Sequence, residues 1–228
     1  MTTGWFVTGT DTEVGKTLIA TGLLSALRNQ GLSCVGMKPV ASGCEINRSG
    51  SHHCEDAQML LDNSSVRVDY IDVNPYGFAP AVAPHLAAHA AGVDINLEQI
   101  RTHFDRLCAQ AECIVVEGIG GWLVPLNEEN TTADLARLLG LPVILVAGVR
   151  LGCLNHTLLT VAAIAASGAA LAGWVANRVD PDVALFEENV VSLQGRINAP
   201  LLGMVPYGVD GATPAFAARH LKLSHLRR

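Results

Sequence analysis

An apolar run, Trp5–Thr8, passes through Gly9-Thr10-Asp11-Thr12-Glu13-Val14-Gly15-Lys16-Thr17 into a stretch with helical periodicity. No other segment constrains the fold as strongly. A strand that turns directly into a helix aims the helix's first backbone N–H groups at one point, where they can hold phosphate. Gly15 lets the chain approach closely, Lys16 brings a mobile positive charge, and Thr17 places a hydroxyl where a magnesium ion would sit. The loop departs from the usual spacing, because Gly9 stands six residues before Gly15 where five is usual. An ordinary strand–turn–helix could also begin with Gly-Lys-Thr, but the three features together favour nucleotide binding.

The rest of the chain repeats this alternation. Strands are predicted at Trp5–Thr8, Cys34–Met37, Cys113–Val116, Val143–Ala147, Leu171–Ala176 and Leu201–Val205. They are continuous apolar runs, as expected of parallel strands buried on both faces. Helices are predicted at Lys16–Gln30, Asp56–Leu61, Leu97–Ala111, Ala133–Leu139, Leu154–Ala166, Val183–Leu193 and Ala215–Leu221. The first carries Leu18, Ile19, Leu23, Leu24 and Leu27 on one face and stops at Gly31. Asn96 followed by Gln99 has the spacing of a capping box. Ser42–Cys54 is polar and glycine-punctuated, hence a loop, and the three prolines of Asn74–Pro84 predict an ordered loop over the sheet edge. The expected fold class is α/β, a parallel sheet with helices on both faces, of the P-loop nucleoside triphosphate hydrolase type. With 228 residues, 50% hydrophobic and 16% charged, residues 1–228 read as a single domain with a large core.

Several function classes become unattractive on the same grounds. Fifteen basic against 21 acidic side chains give a net charge of −6, which argues against a general nucleic-acid binder. The uncharged stretch His156–Asn177 is long enough to span a bilayer, but it is mainly alanine and broken by Ser167-Gly168. A helix followed by a buried strand explains it better than a membrane span. Met1-Thr2-Thr3 runs straight into a strand, which predicts no targeting segment and a cytoplasmic protein. The six cysteines (34, 44, 54, 108, 113 and 153) contain no CxxC pair and read as reduced core thiols without a disulfide.

Glu117 ends the run Cys113-Ile114-Val115-Val116 and precedes Gly118-Ile119-Gly120-Gly121. An acid at the carboxyl end of a strand beside a phosphate loop suits a second magnesium contact. Asp56, at a helix start, is a second candidate, although a plain first-turn acid would look the same. Lys38, followed by Pro39, stands at the carboxyl edge of the second strand, where it would be useful if negative charge develops beside a γ-phosphate. By position alone a surface lysine is an equal reading. His52-His53 with Cys54 has no second ligand pair at zinc spacing, so a solvated loop is expected and no zinc site.

These residues resemble dethiobiotin synthase. The matching segments are FVTGTDTEVGKT (6–17), KPVASG (38–43), VNPYGFAPAVAPH (73–85), VEGIGGW (116–122), VILVAGVRLGCLNH (143–156), AGWVANRV (172–179) and APLLGMVP (199–206), spread over nearly the whole chain. The resemblance implies an ATP-dependent ligase of biotin synthesis. Its substrates would be 7,8-diaminononanoate, CO₂ and ATP, with Mg²⁺ as cofactor. A carbamate formed on one amine is phosphorylated, and the second amine closes the ring. By the match, Thr12, Lys38 and Ser42 would hold the carbamate, with Lys16, Lys38 and Thr12 as the catalytic set. Thr17, Asp56 and Glu117 would order the metal. Glu13, Val14, Gly15, Lys16, Thr17, Leu18, Asp56, Glu117, Gly118, Ile119 and Gly120 would line the nucleotide, and Asn177, Arg178, Val205, Pro206 and Tyr207 would lie toward the adenine. In a homodimer, Leu151, Gly152, Cys153 and Asn155 would bind the substrate's tail from the second subunit.

The match has departures. Ile119 stands where a small residue is expected, and the helix after the Asn177 strand offers no tyrosine to the tail, since the tyrosines are at 70, 76 and 207. Cys44–Glu55 and Gly208–Pro214 fit poorly. A nucleotide-switch ATPase of the chromosome-partitioning type is the chief rival, but it carries a lysine where this chain has Asp11. A cobyrinate-type amidotransferase would need an appended glutaminase domain, for which no chain is expected. A non-enzymatic nucleotide-binding module is the third alternative.

Overall fold

The structure, a computed structural model, describes residues 2–46, 52–208 and 211–226. β1 (Thr3–Gly9) leads through the phosphate loop into α1 (Lys16–Asn29), followed by β2 (Cys34–Met37), β3 (Val40–Ser42), β4 (Glu45–Ile46) and β5 (His52–His53). Next come α2 (Glu55–Asn63), α3 (Tyr70–Val73), β6 (Tyr76–Phe78), α4 (Pro84–Ala91) and α5 (Leu97–Cys108). The chain continues with β7 (Cys113–Glu117), α6 (Thr132–Leu139), β8 (Val143–Val149), α7 (Cys153–Ala166), β9 (Leu171–Arg178), α8 (Phe186–Gln194), β10 (Leu201–Val205) and α9 (Pro214–Arg219). All six predicted strands and seven predicted helices are present, with ends that move by three residues or fewer.

The main sheet has the order β10-β9-β8-β1-β7-β2, and every pairing in it is parallel. Both faces are buried, and alternate residues of β1 enter different cores. Trp5 and Val7 pack with Ile19, Leu23, Leu24 and Leu27 of α1, whereas Phe6 packs with Ile100, Leu107, Leu135 and Ile164 on the other side. This double burial is why the strand sequences lack a polar alternation. The chain winds from β1 to β2 on one side and grows through β8, β9 and β10 on the other. The direction therefore reverses beside β1, where ligands gather at the carboxyl ends of strands in such sheets.

Four expectations need correction. Ser42–Cys54 is more than a loop: β4 and β5 pair antiparallel, with Glu45 opposite His53. That reversal brings Cys44 and Cys54 to a Cα separation of 4.3 Å, and they form a disulfide, contrary to the expected reduced thiols. Spacing could not reveal the pairing, because it depends on the chain doubling back. Among the described residues Cys34, Cys108 and Cys153 keep free thiols.

Asn74–Pro84 is also partly regular. β6 pairs in parallel with β3, and Pro84 opens α4 at its first turn, where the missing N–H costs nothing. A proline disfavours the interior of regular structure but not the first turn of a helix, which is where Pro84 stands. At α5, Asn96 Oδ1 accepts from the N–H groups of Glu98 and Gln99, but Gln99 does not return to Asn96 directly. The Asn96 N–H donates to the Tyr76 hydroxyl (3.1 Å), which donates to Gln99 Oε1 (2.7 Å), so the box closes through a third residue. The direct capping box is at α6, between Thr131 and Asp134.

The uncharged stretch 156–177 divides into α7 and β9, and among the described residues no helix is long and apolar enough to cross a membrane.

Candidate active site

The phosphate loop is held open by its backbone and by one buried side chain. Glu13 and Gly15 adopt left-handed conformations, with φ of 59° and 89°. Such values are costly for glutamate and persist only where the surroundings enforce them. The anchor is Val14, 1% exposed, which fits against Gly9 and Gly148; a Cβ on either glycine would fall within 2.8 Å of Val14's methyl groups. Asn177 Nδ2 donates to the Val14 carbonyl (2.9 Å), which pins the loop to the end of β9. α1 then starts at Gly15 with no side-chain cap, leaving its first N–H groups directed at the loop.

Lys16 and Lys38 converge from opposite sides. Lys16 Nζ donates to the carbonyl of Asp11 (2.9 Å), folded back across its own loop. Lys38, beyond the end of β2, is 3% exposed, so the surface reading is excluded. Its Nζ donates to Glu117 Oε1 (2.5 Å) and the Gly118 carbonyl (3.2 Å), and pairs with Asp56 Oδ2 (2.9 Å). Thr17 Oγ1 lies 2.9 Å from both Asp56 Oδ1 and Glu117 Oε1. A hydroxyl has one proton, so it can donate to only one of them. Glu117 Oε2 is buried with no hydrogen-bond partner. This excess of acceptor oxygens around one hydroxyl fits a hard divalent cation, which takes one or two carboxylates and completes its shell with phosphate and water.

Electrostatics follow from burial. Burial lowers the Lys16 pKa, the like charge of Lys38 adds to this, and the nearby acids resist, leaving it at about 8. Burial opposes the charge on Lys38 too, but Glu117 and Asp56 outweigh it and raise its pKa above the usual lysine value. For Asp56, burial is outweighed by Lys38 and Thr17, which hold its pKa below the usual range. Burial raises the pKa of Glu117, and Lys38 only partly offsets it.

Lys16 therefore gives a pH prediction. Bound phosphates favour its charged form, so ADP binding above about pH 8 should take up a proton. Affinity should then fall with rising pH by up to about tenfold per unit. Calorimetry in buffers of different ionisation heat would show it; a pH-independent affinity with no proton uptake would remove Lys16 from the phosphate site.

A cleft of about 760 Å³ gathers Thr12, Glu13, Gly15, Lys16, Thr17, Lys38, Ser42, Asp56, Glu117, Ile119 and Gly120. Most of the residues expected at the phosphates, the metal and the carbamate thus share one cavity. Ile119 lines it in place of the expected small residue. Ala81–Pro84 and Val124 line it as well; the first segment is expected from the sequence only as an ordered loop over the sheet edge, with no site role, and Val124 carries no signal at all.

Other candidates lie outside the cleft. Asn177 and Val205 are register partners at the ends of β9 and β10, with Pro206 and Tyr207 exposed beyond them. Arg178 is committed to its own turn, donating to the carbonyls of Asp180 and Pro181. Leu151 and Gly152 lie in the β8–α7 turn and Cys153 and Asn155 in the first turn of α7, with Leu151 fully exposed and Cys153 buried. Next to them Arg150 pairs with Asp11 of the phosphate loop at 2.9 Å. Among the described residues no group of three or more His, Cys, Asp or Glu could hold a metal, and His53 instead stacks on Tyr70.

A family model described as an AAA domain matches residues 3–214. The chain is 53% identical to the ATP-dependent dethiobiotin synthetase BioD of Pseudomonas aeruginosa, over 97% of each chain. It is equally identical to the protein of the same name from Aromatoleum aromaticum, over 96% of each. Among solved structures, the septum site-determining protein MinD of Pyrococcus horikoshii, complexed with Mg-ADP, superposes with a TM-score of 0.54. It shares 17% identity, with 99% of this chain and 89% of that one covered. A likeness at that identity concerns the fold alone.

Proposed function

Because the chain belongs to the dethiobiotin synthetase family, we infer that it is an ATP- and magnesium-dependent ligase. It carboxylates 7,8-diaminononanoate and closes the ring to dethiobiotin, releasing ADP and phosphate. The observation that carries the reading is a buried lysine, Lys38, sharing one cleft with the phosphate loop and with Thr12 and Ser42. A chromosome-partitioning ATPase of similar fold gains nothing from Asp11, which stands where such proteins carry a lysine.

In this reading each group has a task. CO₂ adds to one amine of the substrate to give a carbamate, which Thr12, Ser42 and Lys38 hold beside the phosphate loop. A carbamate oxygen then attacks the γ-phosphorus and ADP leaves. Two anions must meet in this step, and the Lys38 and Lys16 ammonium groups with the α1 N–H groups supply the opposing charge. Lys16 exchanges the Asp11 carbonyl for phosphate oxygens as nucleotide arrives. Finally the second amine attacks the carbonyl of the carbamic–phosphoric anhydride, the ring closes and phosphate departs. Thr17, Asp56 and Glu117 would hold Mg²⁺, whose chemistry is charge neutralisation on the phosphates. Asn177, Arg178, Val205, Pro206 and Tyr207 would lie toward the base.

Residues 1–228 act as one synthetase domain in this reading, in the cytoplasm where ATP is held, without a nucleic-acid or membrane partner. The active unit is a homodimer. α7 carries no Asp, Glu, Lys or Arg and is rich in alanine and leucine, yet only Cys153, Thr157 and Ile164 of it are fully buried; Leu159 is exposed, as is Leu151 just before the helix. An apolar helix so little covered fits a two-fold contact. Leu151, Gly152, Cys153 and Asn155 would then meet the carboxylate tail bound in the other subunit. Mixing Lys38→Ala subunits with subunits blocked at the 152–155 turn should restore activity, because one site of the mixed dimer is intact; a fully active monomer overturns the arrangement.

The activity itself is tested by incubating the protein with the diamine, bicarbonate, Mg²⁺ and ATP and looking for the cyclic urea by mass. ATP hydrolysis that proceeds without the diamine, and no cyclic urea, would overturn the assignment.

A further inference from the structure

Lys38 is carried by a stretch of chain that no ladder of the main sheet holds. β2 ends at Met37, and Pro39, with no N–H to donate, separates Lys38 from β3. The segment after α3 takes over. The Lys38 N–H donates to the Val73 carbonyl (2.8 Å), and the Lys38 carbonyl accepts from Asn74 Nδ2 (2.7 Å). The same Nδ2 donates to the Tyr76 carbonyl (3.3 Å), and the Tyr76 N–H donates to the Pro39 carbonyl (3.2 Å).

The other end of the Asn74 amide faces the chain that enters α2. The Tyr70 hydroxyl donates to Asn74 Oδ1 (3.5 Å) and accepts from the Cys54 N–H (2.8 Å). Cys54 Sγ, bonded to Cys44, lies 3.2 Å from the same oxygen. Cys54 is the residue before the first turn of α2, which presents Asp56 to Lys38. Asn74 is 4% exposed and does not line the cleft.

We propose that Asn74 is a positioning residue for the reaction, which sets the direction of Lys38 and its spacing from Asp56 through the Lys38 peptide. The proposal rests on the ligase reading. A buried amide that joins the backbones of Lys38, Tyr76 and the α2 entrance determines where Nζ arrives, and small displacements of a charge from reacting oxygens are costly in rate.

The test is a double-mutant cycle on the full chain. Asn74→Ala should lower kcat for cyclic-urea formation about ten- to a hundredfold, with equilibrium ADP affinity and binding stoichiometry unchanged. In a Lys38→Ala background the same substitution should cost nothing further. Equal losses in both backgrounds, or undiminished kcat in the single variant, overturn the proposal. If Asn74→Ala does not fold, Asn74→Asp takes its place. A carboxylate cannot donate to the Lys38 carbonyl, but its protonated form can. The rate of that variant relative to the parent protein should therefore rise on acidification; the titratable groups on that side are Tyr70 and, lining the same pocket, His52 and His53, so the ratio is compared with that of a His52→Ala/His53→Ala background. A flat ratio overturns the proposal. Failure of the parent protein to form cyclic urea overturns the ligase reading instead, so the two failures are distinguishable.

Discussion

Replacing Lys38 by alanine should lower turnover about a hundredfold while leaving nucleotide binding in place. Nζ is within 3 Å of Asp56 and Glu117, both beside the hydroxyl of Thr17 at the start of α1. In the ligase reading it faces the oxygens that carry negative charge as phosphate is transferred. Removing one charged donor aimed at such oxygens costs about 3 kcal/mol in the transition state. Lys16 and the N–H groups of α1 are untouched, so ADP should still bind. Single-turnover formation of cyclic urea, measured beside ADP calorimetry, separates the two effects. Full turnover in Lys38→Ala would place the chemistry elsewhere.

Glu117→Gln has the second large expected effect, and it reaches further than the magnesium site. From the sequence this substitution should weaken magnesium dependence and leave the fold intact. The structure alters the second half of that expectation. Glu117 is 1% exposed and shares the buried Lys38 charge with a half-exposed Asp56. Without its carboxylate, Lys38 keeps a single counter-charge on the solvent side. Breaking a buried pair from one side costs about 3 kcal/mol where another partner survives. For a domain of this size that is a Tm lower by about 10 °C. Magnesium should also enhance ADP binding less, because a ligand oxygen is replaced by an amide nitrogen. Thermal unfolding and a magnesium titration of ADP affinity check both. An unchanged Tm would mean that Asp56 alone balances Lys38, and an unchanged titration would remove Glu117 from the metal.

Much of the fold and the phosphate loop was legible because the signals are local. A parallel strand buried on both faces must be apolar throughout, so β2 and β10 could be bounded to the residue. The left-handed turn, the free helix start and the lysine of the phosphate loop are consecutive in the chain, and residues 9–17 announce them. The pairing of Glu117 with the loop was legible for a related reason: an acid at the end of a central strand has only the loop edge to face. Short regular pieces were not legible. β4, β5, β6 and α3 are too brief to show a period, and α4 opens on a proline that looks like a stop.

Local patterns in the chain were enough for a parallel α/β sheet with a phosphate cradle at its carboxyl edge and, through a family resemblance, for the reaction to expect there. The surroundings of Lys38 came from long-range packing. Glu117 meets it across 79 residues and Asn74 across 36, and the bond between Cys44 and Cys54 depends on a hairpin between them. Whether a lysine at a strand end is solvated or buried depends on the segments that fold over it, and no nearby residue records their arrival. Its burial, the partners that raise its pKa and the amide that holds its backbone are products of packing between distant segments. Such packing is settled by the free energy of the whole fold, and a local pattern registers only the interactions within its own few turns.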